Sequence, residues 1–171
     1  MREISTNLIT DTIAEMCITA NCNLNQDVYI ALEQAKQKEE SPIGKEILCQ
    51  LTKNADIAQK QQMPICQDTG MAIIFMEIGQ EVHITGGLLE DAVNEGVRKG
   101  YQKGYLRKSI VQDPFIRVNT KDNTPAILYT KIVAGNNIAI TVAPKGFGSE
   151  NMSRVYMLKP SDGIEGAKKA I

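Results

Sequence analysis

The sequence predicts an α+β protein. Three observations carry this reading. Apolar residues recur at helical spacing through the first third of the chain. Three later runs, Met71–Ile78, Ala126–Ala134 and Ile138–Ala143, are rich in β-branched and aromatic residues. A single amphipathic helical stretch, Leu88–Gly104, stands among those runs. Helices come first and strands later, so strict βαβ alternation is absent and the expectation is N-terminal helices followed by a mixed sheet with packed helices. We read 1–171 as one domain, with 1–62 as a helical segment within it.

The elements follow in order. Ile4, Leu8, Ile13, Met16, Cys17 and Ala20 lie on one helical stripe that breaks at Asn21-Cys22-Asn23. A second helix begins near Gln26, carries Val28, Leu32 and Ala35, and ends in the polar run Lys36–Glu40. Ser41-Pro42 is a strong helix start, a capping hydroxyl followed by a residue preset for the first turn. Ile43, Ile47, Leu51 and Ile57 continue that helix to about Gln62. Met71–Ile78 reads as a buried strand after a loop. Leu88–Gly104 has Glu90 and Asp91 early and Arg98, Lys99 and Lys103 late, as the helix dipole favours. Gly96 and Gly100 are one turn apart on its apolar side and cost about 1 kcal/mol each in helix propensity, so a close neighbour is expected there. Phe115–Val118 reads as a short strand. Gly135-Asn136-Asn137 reads as the turn of a hairpin between the last two β-rich runs. Ser161 is placed to cap a final helix from Asp162. That helix stops at Ile171 without a glycine cap, which reads as a C-terminally truncated domain.

Composition limits the function classes. The 171 residues include 19 basic and 20 acidic side chains, so the positive field of a nucleic-acid binder is missing. The longest wholly apolar run, Met71–Met76, is far too short to span a bilayer. Met1–Ser5 lacks the order of a signal peptide, and a soluble cytoplasmic protein is expected. Cys17, Cys22, Cys49 and Cys66 have no metal-knuckle or redox spacing and are expected as reduced thiols. One histidine, His83, excludes a multi-histidine metal site. Any chemistry must lean on cysteine, carboxylate, arginine or a partner.

The sharpest local feature is Pro64-Ile65-Cys66-Gln67-Asp68-Thr69-Gly70. It crowds a thiol, an amide, a carboxylate and a hydroxyl into one loop ahead of a strand. Cys66 suits a soft metal or an iron–sulfur cluster, and Asp68 suits proton transfer or the positioning of a cation. The plainer alternative is a buried cysteine and an Asx turn. Cys17 and Cys49 read as small buried apolar residues. Pro144–Asn151 is glycine-rich but lacks dinucleotide and Walker spacing, which leaves a loop whose backbone amides hold a carboxylate, or an ordinary turn. Arg98 and Arg107 could each clamp a carboxylate or simply sit at the surface.

Together, Pro64–Gly70, Gly86-Gly87, Glu95–Arg98, Leu106–Ser109, Asp113-Pro114, Pro144–Ser153 and Met157–Pro160 occur in an order that resembles one family. It is the N-terminal region, or α subunit, of class I iron–sulfur fumarate hydratases and tartrate dehydratases. The resemblance implies that Cys66 is one of three cysteines holding a [4Fe-4S] cluster. It implies Gln67, Asp68, Arg98 and Gly146 at the substrate, with Asp68 catalytic. Phe147 stands where many relatives would have glycine. It implies reversible hydration of fumarate to malate, with the other two cluster cysteines beyond Ile171 and further groups from a β subunit or C-terminal domain. This chain alone would then be inactive and hold no stable cluster, and a homo-oligomer is expected. Gly148-Ser149-Glu150-Asn151 leans the substrate towards fumarate. Rival readings are a tartrate dehydratase subunit, a non-catalytic dicarboxylate-binding or assembly module of the same fold, and a thiol-redox protein acting through Cys66.

Overall fold

The computed structural model describes residues 1–148 and 153–171. The elements are β1 (Arg2–Ser5), α1 (Thr6–Cys22), α2 (Gln26–Lys38), α3 (Pro42–Gln61), β2 (Met71–Gly79), β3 (Val82–Thr85), α4 (Leu89–Lys103), β4 (Ile127–Val133), β5 (Ile138–Lys145) and α5 (Gly163–Ala170). The architecture is α+β, as expected.

One expectation at the N-terminus changes. Arg2–Ser5 is a strand, not the start of the first helix, and it pairs in parallel with β3, Ile4 opposite Ile84. Ser5 then caps α1, its hydroxyl accepting the Leu8 N–H at 3.3 Å. The Ser41-Pro42 signal holds: Ser41 caps α3 through the Gly44 N–H, with Pro42 in the first turn. The apolar stripe of α3 does not face a core. Ile43, Ile47 and Leu51 are exposed, and the helix buries the small residues Thr52, Ala55 and Ala58 instead. Cys49, expected inside, is exposed on the same helix.

The larger sheet has the order β4-β2-β5, with β2 parallel to β4 and antiparallel to β5. The expected hairpin therefore does not form, because β2 lies between its two arms. The Gly135–Asn137 turn instead wraps the end of β2. Gly79 N–H donates to Asn137 O at 2.8 Å and Glu81 N–H to Gly135 O at 3.0 Å. A Cβ on Gly79 would lie 2.4 Å from Gly135 O, so this crossing needs glycine. β2 buries one apolar face, and its other face ends in the exposed Phe75 and Glu77. Ala72, Ile74, Met76 and Ile78 face the core, while Phe75 on the other face stacks on Tyr129 with ring centroids 5.3 Å apart. Phe115–Val118 is not a strand. Asp113 Oδ1 accepts the Phe115 and Ile116 N–H groups and turns the chain there. Ser161 lies inside a 3-10 turn, Pro160–Asp162, rather than capping α5.

The core joins Ile9, Ile13 and Cys17 of α1 to Val93, Val97 and Tyr101 of α4 beneath β2. The glycines of α4 decide how close the two helices come. A Cβ on Gly96 would lie 2.7 Å from Thr10 O, one on Gly100 2.8 Å from Ala14 O, and one on Gly104 2.9 Å from Ile18 Cγ1. Thr10 Oγ1 donates to Ala92 O at 2.9 Å across the same seam. The close neighbour expected at Gly96 and Gly100 is thus the backbone of α1.

Gly100→Ala should lower stability by about 1–3 kcal/mol through overpacking, despite its better helix propensity. Gly44→Ala, which meets only the flexible end of Glu39, should stay within about 0.5 kcal/mol of the parent in urea unfolding. Equal effects would refute the close seam. Burial also pushes the Cys17 thiol from 9.0 up to about 12. The unfolded thiol ionises near 9.0 while the folded one keeps its proton, so this stability is full below about pH 9 and declines above it, by up to ~1.4 kcal/mol per pH unit. The urea midpoint should fall on going from about pH 8 to about pH 10.5, and fall less steeply in Cys17→Ala. Identical slopes in the two proteins would refute it.

Candidate functional site

Residues 62–70 run from the end of α3 to the start of β2. Gln62 ends α3 in a left-handed conformation with φ 52°. Ile65 then fastens the loop at both its polar groups: its N–H donates to Asn21 O at 2.9 Å, and its carbonyl accepts from Asn54 Nδ2 at 2.9 Å. The far end is fastened more heavily. Thr69 Oγ1 donates to Arg107 O at 3.0 Å. The Tyr101 hydroxyl donates to Thr69 O at 2.8 Å and Gly70 O at 3.2 Å. Tyr101 is fully buried, and burial is the main reason its phenol is held well above the usual tyrosine range. Gly70 has φ 64°, and a Cβ there would lie 2.2 Å from Lys145 O, so the loop meets the end of β5 backbone to backbone.

Between these anchors the functional side chains stand in a row. Cys66 is exposed, and its sulfur accepts the Asp68 N–H at 3.4 Å and lies 3.5 Å from Gln67 Oε1. Asp68 faces inward. Its Oδ1 accepts the Gly70 N–H at 3.1 Å, the Asx turn foreseen as the plainer reading. Its Oδ2 accepts the Phe147 N–H at 2.9 Å, and Gly146 is packed so close that a Cβ there would lie 3.1 Å from the same oxygen. The glycine-rich loop does hold a carboxylate with a backbone amide, and that carboxylate is the protein's own. The structure therefore joins Cys66, Gln67, Asp68 and Gly146. Ser149, Glu150 and Asn151 lie outside the described residues.

Asp68 and Phe147 open onto a cleft of about 500 Å³ whose opposite wall is the Arg107–Val111 segment, with Met71, Arg117 and Asn119 completing it. Among the described residues Arg107, Lys108 and Arg117 bring three cations to a cleft lined by one carboxylate, a field suited to a small dianion. Asn119 Nδ2 closes the wall on Lys108 O at 2.9 Å, and Thr120 N–H closes it on Ile110 O at 2.9 Å.

Arg98 is not part of this cleft. Its guanidinium is held by Asp122, with Nε to Oδ2 at 3.1 Å, and by Glu95 one turn back on α4. The hydrogen bond to Asp122 is the largest influence raising the Arg98 pKa above its ordinary value. Burial would raise the Asp122 carboxyl, but hydrogen bonds from Thr124 and Arg98 outweigh it and hold Asp122 below the usual range. With two carboxylates already on it, Arg98 has little positive field left to offer a third. Arg107, Lys108 and Arg117 are the cations that line the cleft. Nothing in local spacing singles out Arg117, because its approach depends on how the 111–119 segment folds back.

Among the described residues no group of three or more His, Cys, Asp or Glu is placed to hold a metal ion. Cys17 and Cys22 are buried, and desolvation raises both thiols, which suits neither to ligation. Cys66 is the exposed thiol at the site. No helix among the described residues is long and apolar enough to cross a membrane.

The α+β scaffold thus sets a thiol, an amide and a carboxylate on one anchored loop, across from three cations. The family model described as fumarate hydratase (Fumerase) matches residues 10–171, and the chain belongs to that family. It is 40% identical over 169 residues to the putative L(+)-tartrate dehydratase subunit alpha of Methanocaldococcus jannaschii, covering 95% of this chain and 59% of that protein. It is 29% identical over 174 residues to the L(+)-tartrate dehydratase subunit alpha of Escherichia coli K12, covering 99% of this chain and 57% of that protein. The chain thus spans less than two thirds of the length of these relatives.

Proposed function

We propose that this chain is one part of an iron–sulfur hydro-lyase that reversibly hydrates fumarate to malate, completed by further polypeptide. The observation that carries the reading is the Asp68 bridge. A single carboxylate ties the Cys66–Gly70 loop to Gly146-Phe147 at the edge of a cation-lined cleft, in a chain of the fumarate hydratase family. Arg107, with Lys108 and Arg117, would hold the two carboxylates of the substrate and so fix its orientation. Asp68, oriented by the Gly70 and Phe147 amides, would handle the proton beside a substrate carboxylate. Gln67 would face the same substrate, and the glycine at 146 lets the loop approach. Cys66 fits as one ligand of a [4Fe-4S] cluster, since its sulfur is accessible and accepts a backbone N–H. When bound, such a cluster supplies a Lewis-acidic iron for the substrate hydroxyl. One thiol cannot hold it, so the remaining ligands belong to polypeptide outside this sequence, and a β subunit is the expected partner because the relatives are named as α subunits. The same names favour a second reading, dehydration of L(+)-tartrate, by the same residues. The cytoplasm is the compartment this reading expects.

The test is anaerobic reconstitution of the chain with its partner polypeptide, followed by iron analysis and separate assays of fumarate hydration and L(+)-tartrate dehydration. Turnover of one substrate and not the other selects the reading, and turnover of neither refutes both. Cys66→Ser should lose bound iron and activity together, and full activity in that variant would overturn the assignment of Cys66. Arg107→Ala should raise KM for the dicarboxylate about tenfold or more, the loss of a charge-assisted contact of ~1.5–3 kcal/mol, while Arg98→Ala should raise it less. The reverse order would return the clamp to Arg98.

A further inference from the structure

We propose that Asn123 is a positioning residue that sets the separation between the Asp68 loop and the cationic wall of the cleft. The inference rests on the function proposed above.

Asn123 is fully buried, yet it lies in neither wall of the cleft. Its amide is shared between the two. Oδ1 accepts the Ser109 N–H at 2.8 Å and the Ile110 N–H at 3.3 Å, both on the cationic wall. Nδ2 donates to Gly70 O at 3.1 Å, two residues beyond Asp68. Both segments are loop rather than ladder, so the backbone has no regular way to fix their spacing. A direct bond between them, Thr69 Oγ1 to Arg107 O, holds a single point. A planar amide with acceptor on one side and donor on the other holds a distance and a direction.

The local backbone shows the same purpose. Asn123 has φ 63°, a conformation that asparagine tolerates better than most residues. The neighbouring Asp122 is held from outside by Arg98 and within its own turn by Thr124. Arg98 therefore acts on the site at one remove, by holding the turn that presents Asn123. The Gly70 carbonyl also receives the Tyr101 hydroxyl, so α4 and the 119–124 turn converge on the oxygen that follows Asp68.

A role confined to fold stability and a role in positioning differ in what they loosen. Asn123→Asp keeps the shape, the acceptor and the left-handed backbone, but replaces the donor to Gly70 O with an oxygen. Asn123→Gly removes the amide without straining φ. The readout is native-state hydrogen exchange at the Gly70 and Phe147 amides, which Asp68 holds and Asn123 does not touch. Both variants should speed exchange there about tenfold, the loss of one buried hydrogen bond, with Ile74 and Val97 in the core unchanged. In the reconstituted enzyme both should raise KM for the dicarboxylate more than they lower kcat. Unchanged exchange at Gly70 and Phe147 overturns the proposal, as does acceleration that matches Ile74 and Val97. Should one variant fail to fold, the other decides by the same comparison. The exchange result stands even if the wild-type enzyme turns over neither fumarate nor tartrate, so failure of this inference is separable from failure of the proposed reaction.

Discussion

Helix α4 rests on helix α1 with no side chain of its own in the seam at Gly96 and Gly100. The site depends on that contact. It lowers α4 far enough for Tyr101, one residue past Gly100, to reach under the loop and bond the carbonyls of Thr69 and Gly70. It also puts Arg98, on the same helix, against Asp122 and so steadies the turn that carries Asn123. A bulkier stripe on α4 would lift both contacts together. The helix propensity lost at the glycines is offset by what close packing positions, and dispersion across the seam adds to it.

The loop at Cys66–Gly70 shows how irregular backbone is made rigid. It has no ladder of its own, and its buried polar groups find partners one by one. Ile65 is held by α1 and α3, Thr69 and Gly70 by α4 and the 107–123 segment, and Asp68 by two backbone amides. Among the described residues no buried side-chain nitrogen or oxygen lacks a partner. A functional group on such a loop has a fixed place because leaving any of those bonds unmade costs more than an exposed bond would.

Charge is sorted with the same economy. Arg98 is paired with Asp122 and Glu95. Arg107, Lys108 and Arg117 line a cleft to which, among the described residues, Asp68 alone brings a carboxylate. Two arginines nine residues apart thus have opposite electrostatic roles, and what separates them is which acidic residues the fold brings alongside. A cleft of this sign concentrates small dianions.

Much was legible in the residues themselves. The Ser41-Pro42 start, the apolar β2 and the glycines that demand a close neighbour all follow from properties a residue carries wherever it sits: capping chemistry, apolar surface, a missing Cβ. The Cys66–Gly70 motif was legible in the same way, and its resemblance to a family supplied the chemistry that spacing alone left open. Other features required three dimensions. The Gly135–Asn137 turn has hairpin chemistry, yet β2 comes between its arms, because strand order is a matter of which faces must be buried and not of the turn. Ile4 fits a helical stripe but pairs with Ile84, a partner eighty residues away. Arg98 and Arg107 look alike in sequence, and only the folded chain sets one beside two carboxylates and the other beside a cleft. Local chemistry determines what a residue is able to do, whereas its electrostatic surroundings are made by segments distant in the chain, and these exist only once the chain has folded.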